Sequence, residues 1–253
     1  MGLKKQVSKL LYLIIDLFYS SRLIGGSNYS TRDGHDKIVY NFYKKCLEDR
    51  ETLPSISAVY RVRNGAETLS ASVHSISALC KEIIIVDNGS TDDTLKIAHR
   101  LKRRLNGIVD IKIYSYDNVL AKAGEMYQVE LHDNPAGSLA DFYNFCFAKA
   151  TSDYVMKADA HLLYVTMNLA KIQALLQKRV PVIRFRGEEL FGRSLHFEPY
   201  VYQRKLKATY KDGEFFEVLD FPMKVGLVDV LRGVVFKPIF IHYKRIFFIG
   251  EGV

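Results

Sequence analysis

The stretch EIIIVDNGSTDDTLKIAHRL, residues 82–101, limits what this chain can fold into more than any other segment. Ile83 to Val86 are consecutive and apolar, as in a strand buried on both faces, and such strands belong to parallel sheets covered by helices. Asp87 stands at the strand's exit. Asn88-Gly89 is turn chemistry, because glycine accepts the positive φ of a sharp reversal. Ser90 or Thr91 is placed to cap a helix, with Asp92 and Asp93 in its first turn opposing the dipole. Leu95, Ala98, Leu101 and Leu105 then recur at helical spacing. An acid at the carboxyl end of a parallel strand lies where open α/β sheets bind their ligands.

The flanking segments continue the alternation. Residues 25–54 read as a linker and a helix that stops at Pro54. Ser55 to Tyr60 is a strand, and Ala66 to Cys80 a helix with Leu69, Val73, Ile76 and Cys80 on one stripe. A strand over Val109–Tyr116, a helix over Leu139–Ala150 and a strand over Asp153–Ala158 follow. Strands and helices joined by short turns imply a doubly wound, mostly parallel sheet. After Asp159 the pattern becomes a helix near Met167–Lys178 and mixed strands rich in Tyr, Phe, Arg and Lys.

The chain of 253 residues is long enough for one large α/β domain. Cys46, Cys80 and Cys146 are odd in number and widely spaced, so neither a disulfide framework nor a zinc site follows, and a reducing, cytoplasmic setting is expected. The net charge of +8 suits an anionic partner. The basic run HRLKRRL, 99–105, reads as a solvated helix face; no aromatic ladder is interleaved with it, which argues against nucleic acid. At the N-terminus the apolar stretch Leu10–Ile24 is broken by Asp16, Ser20, Ser21 and Arg22, too short and too polar to span a bilayer. Lys4, Lys5 and Lys9 beside Leu10, Leu13, Ile14, Leu17 and Phe18 suit a helix lying on an anionic leaflet. They suit equally a helix docked on the protein's own core.

Two phosphate-binding patterns are missing. The first strand runs into VYRVRNGAETL without G-x-G-x-x-G, which disfavours hydride chemistry, and G-x-x-x-x-G-K-[ST] does not occur. Instead the later strand runs into DYVMKADAHLLY. Asp159 and His161 there put two ligands of hard-to-borderline character at a strand exit, a pair that can hold a divalent ion against a diphosphate.

Taken together, ISAVYRVRNGAETLSASVHSISALCKEIIIVDNGSTDDTLKIAHRL and NPAGSLADFYNFCFAKATSDYVMKADAH resemble the family 2 glycosyltransferases of GT-A fold, strongly over residues 55–165 and weakly to about 245. The resemblance implies a Rossmann-like, mostly parallel central sheet flanked by helices. It divides the chain into an N-terminal helical extension and linker (1–54), a nucleotide-sugar-binding part (55–165) and an acceptor-binding part (166–253). It further implies inverting transfer from a nucleotide sugar to a glycan or lipid-linked glycan, with Mn2+ or Mg2+. The setting would be cytoplasmic or peripheral at the inner membrane face, as in lipopolysaccharide or capsule synthesis.

Carried over by position, Val59, Tyr60 and Arg61 lie on a loop at the nucleoside, with Asn64 and Glu67 lining the same pocket. Asp87 accepts hydrogen bonds from base or ribose, next to Asn88 and Gly89. Gly137, Asn144, Lys157 and Asp159 complete the donor site. Asp159 and His161 take the place of the family's Asp-x-Asp, with His242 as a late histidine at the metal. Glu217 matches the family's glutamate and is the candidate base, while Phe216 stands where histidine is common. Asp220, Glu188 and Glu189 are rival bases, and Arg204 and Lys205 candidate phosphate contacts. A nucleotide-binding scaffold module without turnover, or a nucleotidyltransferase, are the alternatives.

Overall fold

The computed structural model describes residues 32–190 and 194–243, with side chains from Tyr40 onward. The chain divides into two compact units, Met1–Tyr40 and Asn41–Val253. Of the first, only the opening turns of helix α1 (Arg32–Arg50) are described, so the expected interfacial helix at the N-terminus lies outside the described residues.

The second unit is built on a six-stranded sheet ordered β3-β2-β1-β4-β8-β6. Its strands are β1 (Ile56–Val62), β2 (Glu82–Asp87), β3 (Asp110–Ser115), β4 (Tyr154–Ala158), β6 (Val182–Phe185) and β8 (Glu198–Gln203). β3, β2, β1 and β4 are parallel, whereas β8 runs antiparallel to both β4 and β6. The expected mostly parallel α/β sheet is therefore present.

Period-two alternation divides its residues between two apolar layers. Ala58, Tyr60, Ile83, Ile85, Met156 and Ile183 face one layer, which α2 (Leu69–Ile76), α3 (Thr94–Arg104) and α6 (Thr166–Gln177) cover. Val59, Ile84, Val86, Val155 and Val182 face the other, under α5 (Leu139–Phe147). β2 is buried along its whole length, which explains its uninterrupted apolar run.

Two small sheets stand beside the large one. A hairpin pairs β9 (Thr209–Asp212) with β10 (Glu217–Asp220), and β11 (Phe240–His242) lies between β5 (Leu162–Tyr164) and β7 (Gly187–Glu189). The short helices α4 (Tyr127–Asp133) and α7 (Leu227–Arg232) complete the order.

Two helix boundaries differ from expectation for one reason. Helix α2 begins at Leu69 rather than Ala66, and α3 at Thr94, so Asp92 and Asp93 are outside it and neither Ser90 nor Thr91 caps it. Those polar side chains bind a different loop. Ser90 Oγ accepts from Asn64 N at 2.9 Å, Asp92 Oδ2 from Ala66 N at 3.0 Å and Thr94 Oγ1 from Gly65 N at 2.8 Å. Asn64 Oδ1 in turn accepts from Thr91 N at 2.8 Å. The Ser-Thr-Asp-Asp-Thr run is a staple between the β1 and β2 exits, and that bond set outcompetes local capping. The basic run behaves as a solvated face: Leu101 and Leu105 are buried while Lys102, Arg103 and Arg104 are exposed. Cys46, Cys80 and Cys146 are buried and unpaired.

At the opposite, amino edge sits a buried acid. The Glu82 side chain is 5% exposed and takes 3.0 Å bonds from Thr151 N and Oγ1, a bond from Ser57 Oγ and an ion pair with Lys112 at 2.5 Å. Burial alone would push this carboxyl up; Lys112 and the hydrogen bonds from Ser57 and Thr151 outweigh it and hold it below its usual value. Glu82→Ala strands those donors and is expected to cost about 3 kcal/mol at neutral pH. Because the folded pKa is depressed, this stabilisation is complete above about pH 4.3 and fades as pH falls through the lowered value. Urea melts of both proteins at pH 7 and pH 3 check this; a gap that does not narrow in acid would refute it.

Candidate active site

Parallel register brings the two predicted acids to one edge. Val62 lies opposite Asp87 on one side of β1, and Tyr60 opposite Ala158 on the other, which sets Arg61 beside Asp159. Asp87 and Asp159 thus flank the end of β1, two strand spacings or about 10 Å apart.

Asp87 is 2% exposed. Its Oδ2 accepts from Ser90 N at 3.0 Å, but Oδ1 is buried with no hydrogen-bond partner. A buried carboxylate oxygen without a donor is rare and calls for a ligand. The turn that follows is as expected: Gly89 has φ +64°, and Asn88 donates to Tyr116 O at 2.8 Å and Asn118 O at 2.9 Å, spending its amide on the loop after β3.

Asp159 is paired. Arg61 Nη2 donates to its Oδ1, and the arginine side chain is only 4% exposed. The guanidinium lies 4.2 Å from the Tyr143 ring and 5.4 Å from Phe147, both on α5. Burial would raise the Asp159 pKa; the charges of Arg61, Lys157 and His161 prevail and hold it at about 2. The Asp159 carbonyl accepts from Ser72 Oγ at 3.1 Å and from Leu162 N at 3.1 Å, so the turn into β5 is braced as well.

His161 and His242 meet with ring centroids 4.7 Å apart, edge to face, because His242 on β11 pairs with Leu162 on β5. One carboxylate and two imidazoles make a donor set that suits Mn2+ better than Mg2+. Among the described residues no three such side chains already converge at ligand spacing. Asp159, His161 and His242 are thus not a preformed metal cage.

Glu217 reaches the same region from the hairpin. Burial pushes the Tyr143 hydroxyl up, the charges of Asp159 and Glu217 adding to that, and Tyr143 lies against Arg61. The hairpin is held by Asp212, whose carboxylate accepts from Tyr127 Oη, from Ser138 Oγ at 2.7 Å and from Ala140 N at 3.0 Å. Neither Tyr143 nor Asp212 was found by reading the sequence. The aromatic run DFYNF looks like ordinary helix core, and the only cue at Asp212 is an Asp-Gly turn.

Several expected site residues are placed differently. Val59 and Tyr60 are inside β1 and fully buried on opposite faces rather than on a loop; the Tyr60 hydroxyl is 3.0 Å from Ser72 Oγ. Arg61 belongs to the strand too, and its charge is directed at Asp159. Asn144 spends its amide on the Tyr210 backbone at 2.9 and 2.8 Å, clamping β9 to α5. Asn64 is a staple residue at φ +53°. Gly137 lies in a tight turn where a Cβ would come within 2.9 Å of Val119 O.

Lys157 is ion-paired with Glu198 at 3.0 Å, and Glu67 is exposed on the loop after β1. Asp220 is tied to Lys211 at 2.5 Å on the exposed hairpin. Glu188 and Glu189 lie on β7 opposite Ile241 and His242. Arg204 donates to Ser152 O at 2.9 Å, at the amino end of β4, about 20 Å of strand from Asp159. It and its neighbour Lys205 are therefore at the wrong edge for a phosphate at Asp159.

A family model described as Glycosyl transferase family 2 matches residues 57–224. Among solved structures, S. aureus TarS is similar, 14% identical over 75% of this chain and 36% of its own, with a TM-score of 0.51. S. aureus TarS 1–349 in complex with UDP is 13% identical over 75% of this chain and 60% of its own, TM-score 0.50. Glucosyl-3-phosphoglycerate synthase from Mycobacterium tuberculosis, crystallised with Mn2+, UDP-glucose and phosphoglyceric acid, is 19% identical over 63% and 60%, TM-score 0.42. This chain thus spans three fifths or less of those chains, and the likeness to TarS concerns the fold alone. No curated protein sequence matches.

Removing Arg61 would leave Asp159 charged and unpartnered on a covered sheet face. Arg61→Met is expected to destabilise the protein by about 3 kcal/mol, and Asp159→Leu in the same chain to recover much of it. Denaturant melts of the double-mutant cycle check this; additive losses would show that the pair is not coupled.

Proposed function

Because this chain belongs to glycosyl transferase family 2, we propose that it moves a sugar from a nucleoside diphosphate to a hydroxyl of a glycan or lipid-linked glycan, with inversion at the anomeric carbon. The observation that carries the reading is the buried, unpartnered Oδ1 of Asp87, about 10 Å across β1 from Asp159. A nucleoside supplies the missing donor, and its diphosphate then extends toward Asp159.

In the reaction the acceptor oxygen bonds to the anomeric carbon while the bond from that carbon to the diphosphate oxygen breaks. Glu217 is the candidate base that takes the hydroxyl proton. Asp159, His161 and His242 would hold the divalent cation, which when bound neutralises charge on the departing diphosphate. Arg61 keeps Asp159 ionised and in place. Glu188 and Glu189, beside His242, border the acceptor side. Among the described residues no helix is long and apolar enough to cross a membrane, and a peripheral position on an anionic inner leaflet is part of this proposal.

A nucleotide-binding module without turnover is the second reading. The Arg61 lock on Asp159 and the exposed Phe216 in place of histidine favour it.

Nucleotide-sugar binding and hydrolysis across several donors, with Mn2+, Mg2+ or chelator, separates the two. Asp87→Asn is expected to weaken donor binding about ten- to a hundredfold, some 1.4–3 kcal/mol. Glu217→Gln should keep donor affinity and lower transfer roughly 10²–10⁴-fold. Unchanged donor affinity in Asp87→Asn would sink the nucleoside assignment; binding without turnover under every metal condition would favour the module.

A further inference from the structure

Two arginines at the end of β6 have no part in the chemistry above. Ile183 and Phe185 point into the layer shared with Tyr60 and Phe240, so strand alternation puts Arg184 on the opposite face, with Val182, and Arg186 is the first residue past β6. Both residues are half-buried. Arg184 Nη1 and Arg186 Nε are shielded from solvent and have no hydrogen-bond partner. Arg186 is stacked on Phe197 at 5.4 Å, and burial alone pulls the Arg184 pKa down with no carboxylate raising it. Buried guanidinium nitrogens without acceptors are uncommon in native folds. Two of them, two residues apart at the carboxyl end of β6, point to a ligand that brings oxygens.

The place of this pair says which end of the reaction it serves. β4 and β6 are both antiparallel to β8, so they run the same way, and Arg186 leaves the sheet at the same edge as Asp159. The lateral separation is two strand spacings, about 10 Å, on the side away from Asp87. Donor and acids occupy the β2-β1-β4 half, whereas Arg184 and Arg186 stand on the other half, next to β7 and His242. The planar fork of arginine matches phosphate with two parallel hydrogen bonds and stays charged when partly buried.

We propose that Arg184 and Arg186 form a subsite for a phosphate group carried by the acceptor. The word acceptor rests on the transferase reading; the anion site itself does not. The phosphate can come from a soluble phosphorylated glycan or from a lipid headgroup, and both present the same oxygens to the arginine pair.

The test titrates the full chain with inorganic phosphate and with glycerol 3-phosphate, and sediments it with phosphatidylcholine vesicles with and without phosphatidylglycerol. The comparison proteins are Arg184→Gln/Arg186→Gln and Arg184→Lys/Arg186→Lys. Saturable phosphate binding is expected, weakened about tenfold or more by glutamine and less by lysine, which keeps the charge but loses the fork. Binding of glycerol 3-phosphate without vesicle binding assigns a soluble acceptor. Sedimentation that needs phosphatidylglycerol and is lost in the glutamine variant assigns a lipid headgroup.

Lack of saturable binding in both assays, or binding that the glutamine variant leaves unchanged, overturns the proposal. If circular dichroism shows that the double variant does not fold, Arg186→Gln alone serves. Nucleotide-sugar binding by the unsubstituted protein is measured alongside. Its absence with phosphate binding intact would remove the transferase reading and leave the anion site, and the reverse result would remove only this site.

Discussion

A guanidinium on a covered sheet face must find an anion, and in this protein it finds Asp159. Arg61 occupies a position on β1 where Val59, two residues earlier, is plain core. Tyr143 and Phe147 close over it, which leaves the Asp159 carboxylate as its charged partner. The pair ties β1, β4 and α5 together at the carboxyl edge. It also keeps Asp159 ionised where burial alone would favour the neutral acid. Everything placed around Asp159 inherits this arrangement: the turn that carries His161 and the ring of Tyr143.

The second constraint is the staple between the exits of β1 and β2. Backbone amides of a loop beside a ligand edge need partners that do not occupy the site. Asn64, Ser90, Thr91, Asp92 and Thr94 provide them across the gap between two loops. With its flanks held, the Asp87 carboxylate can stay buried with one oxygen unspent. The polar half of the run after Asp87 is therefore structural, while one oxygen of Asp87 itself stays unpartnered.

The far half of the molecule is assembled through long-range pairs. Asp212 caps the start of α5 from more than seventy residues downstream, and the hairpin that carries Glu217 is held there. β11 brings His242 to His161 by pairing with β5. This half thus depends on elements that are short and irregular taken singly, and become a surface only when packed against the sheet.

The sequence by itself determined the parallel core and its ligand edge. Uninterrupted apolar strands, Asn-Gly turns and amphipathic helices are local signals, and each states its periodicity within a few residues. The place of Asp87 at the end of such a strand, and of Gly89, Asp159 and His161 just past one, was legible for that reason. Tertiary structure decided which side chains are spent and which are free. Val59, Tyr60 and Asn144 match a motif yet are consumed by core and backbone, and Arg204 matches by type yet lies at the wrong edge. Arg61, Tyr143, Asp212 and the Arg184–Arg186 pair acquire meaning only from neighbours distant in the chain. Hydrogen bonds and ion pairs depend on distances of a few ångströms, which sheet register and helix docking set and local sequence does not encode.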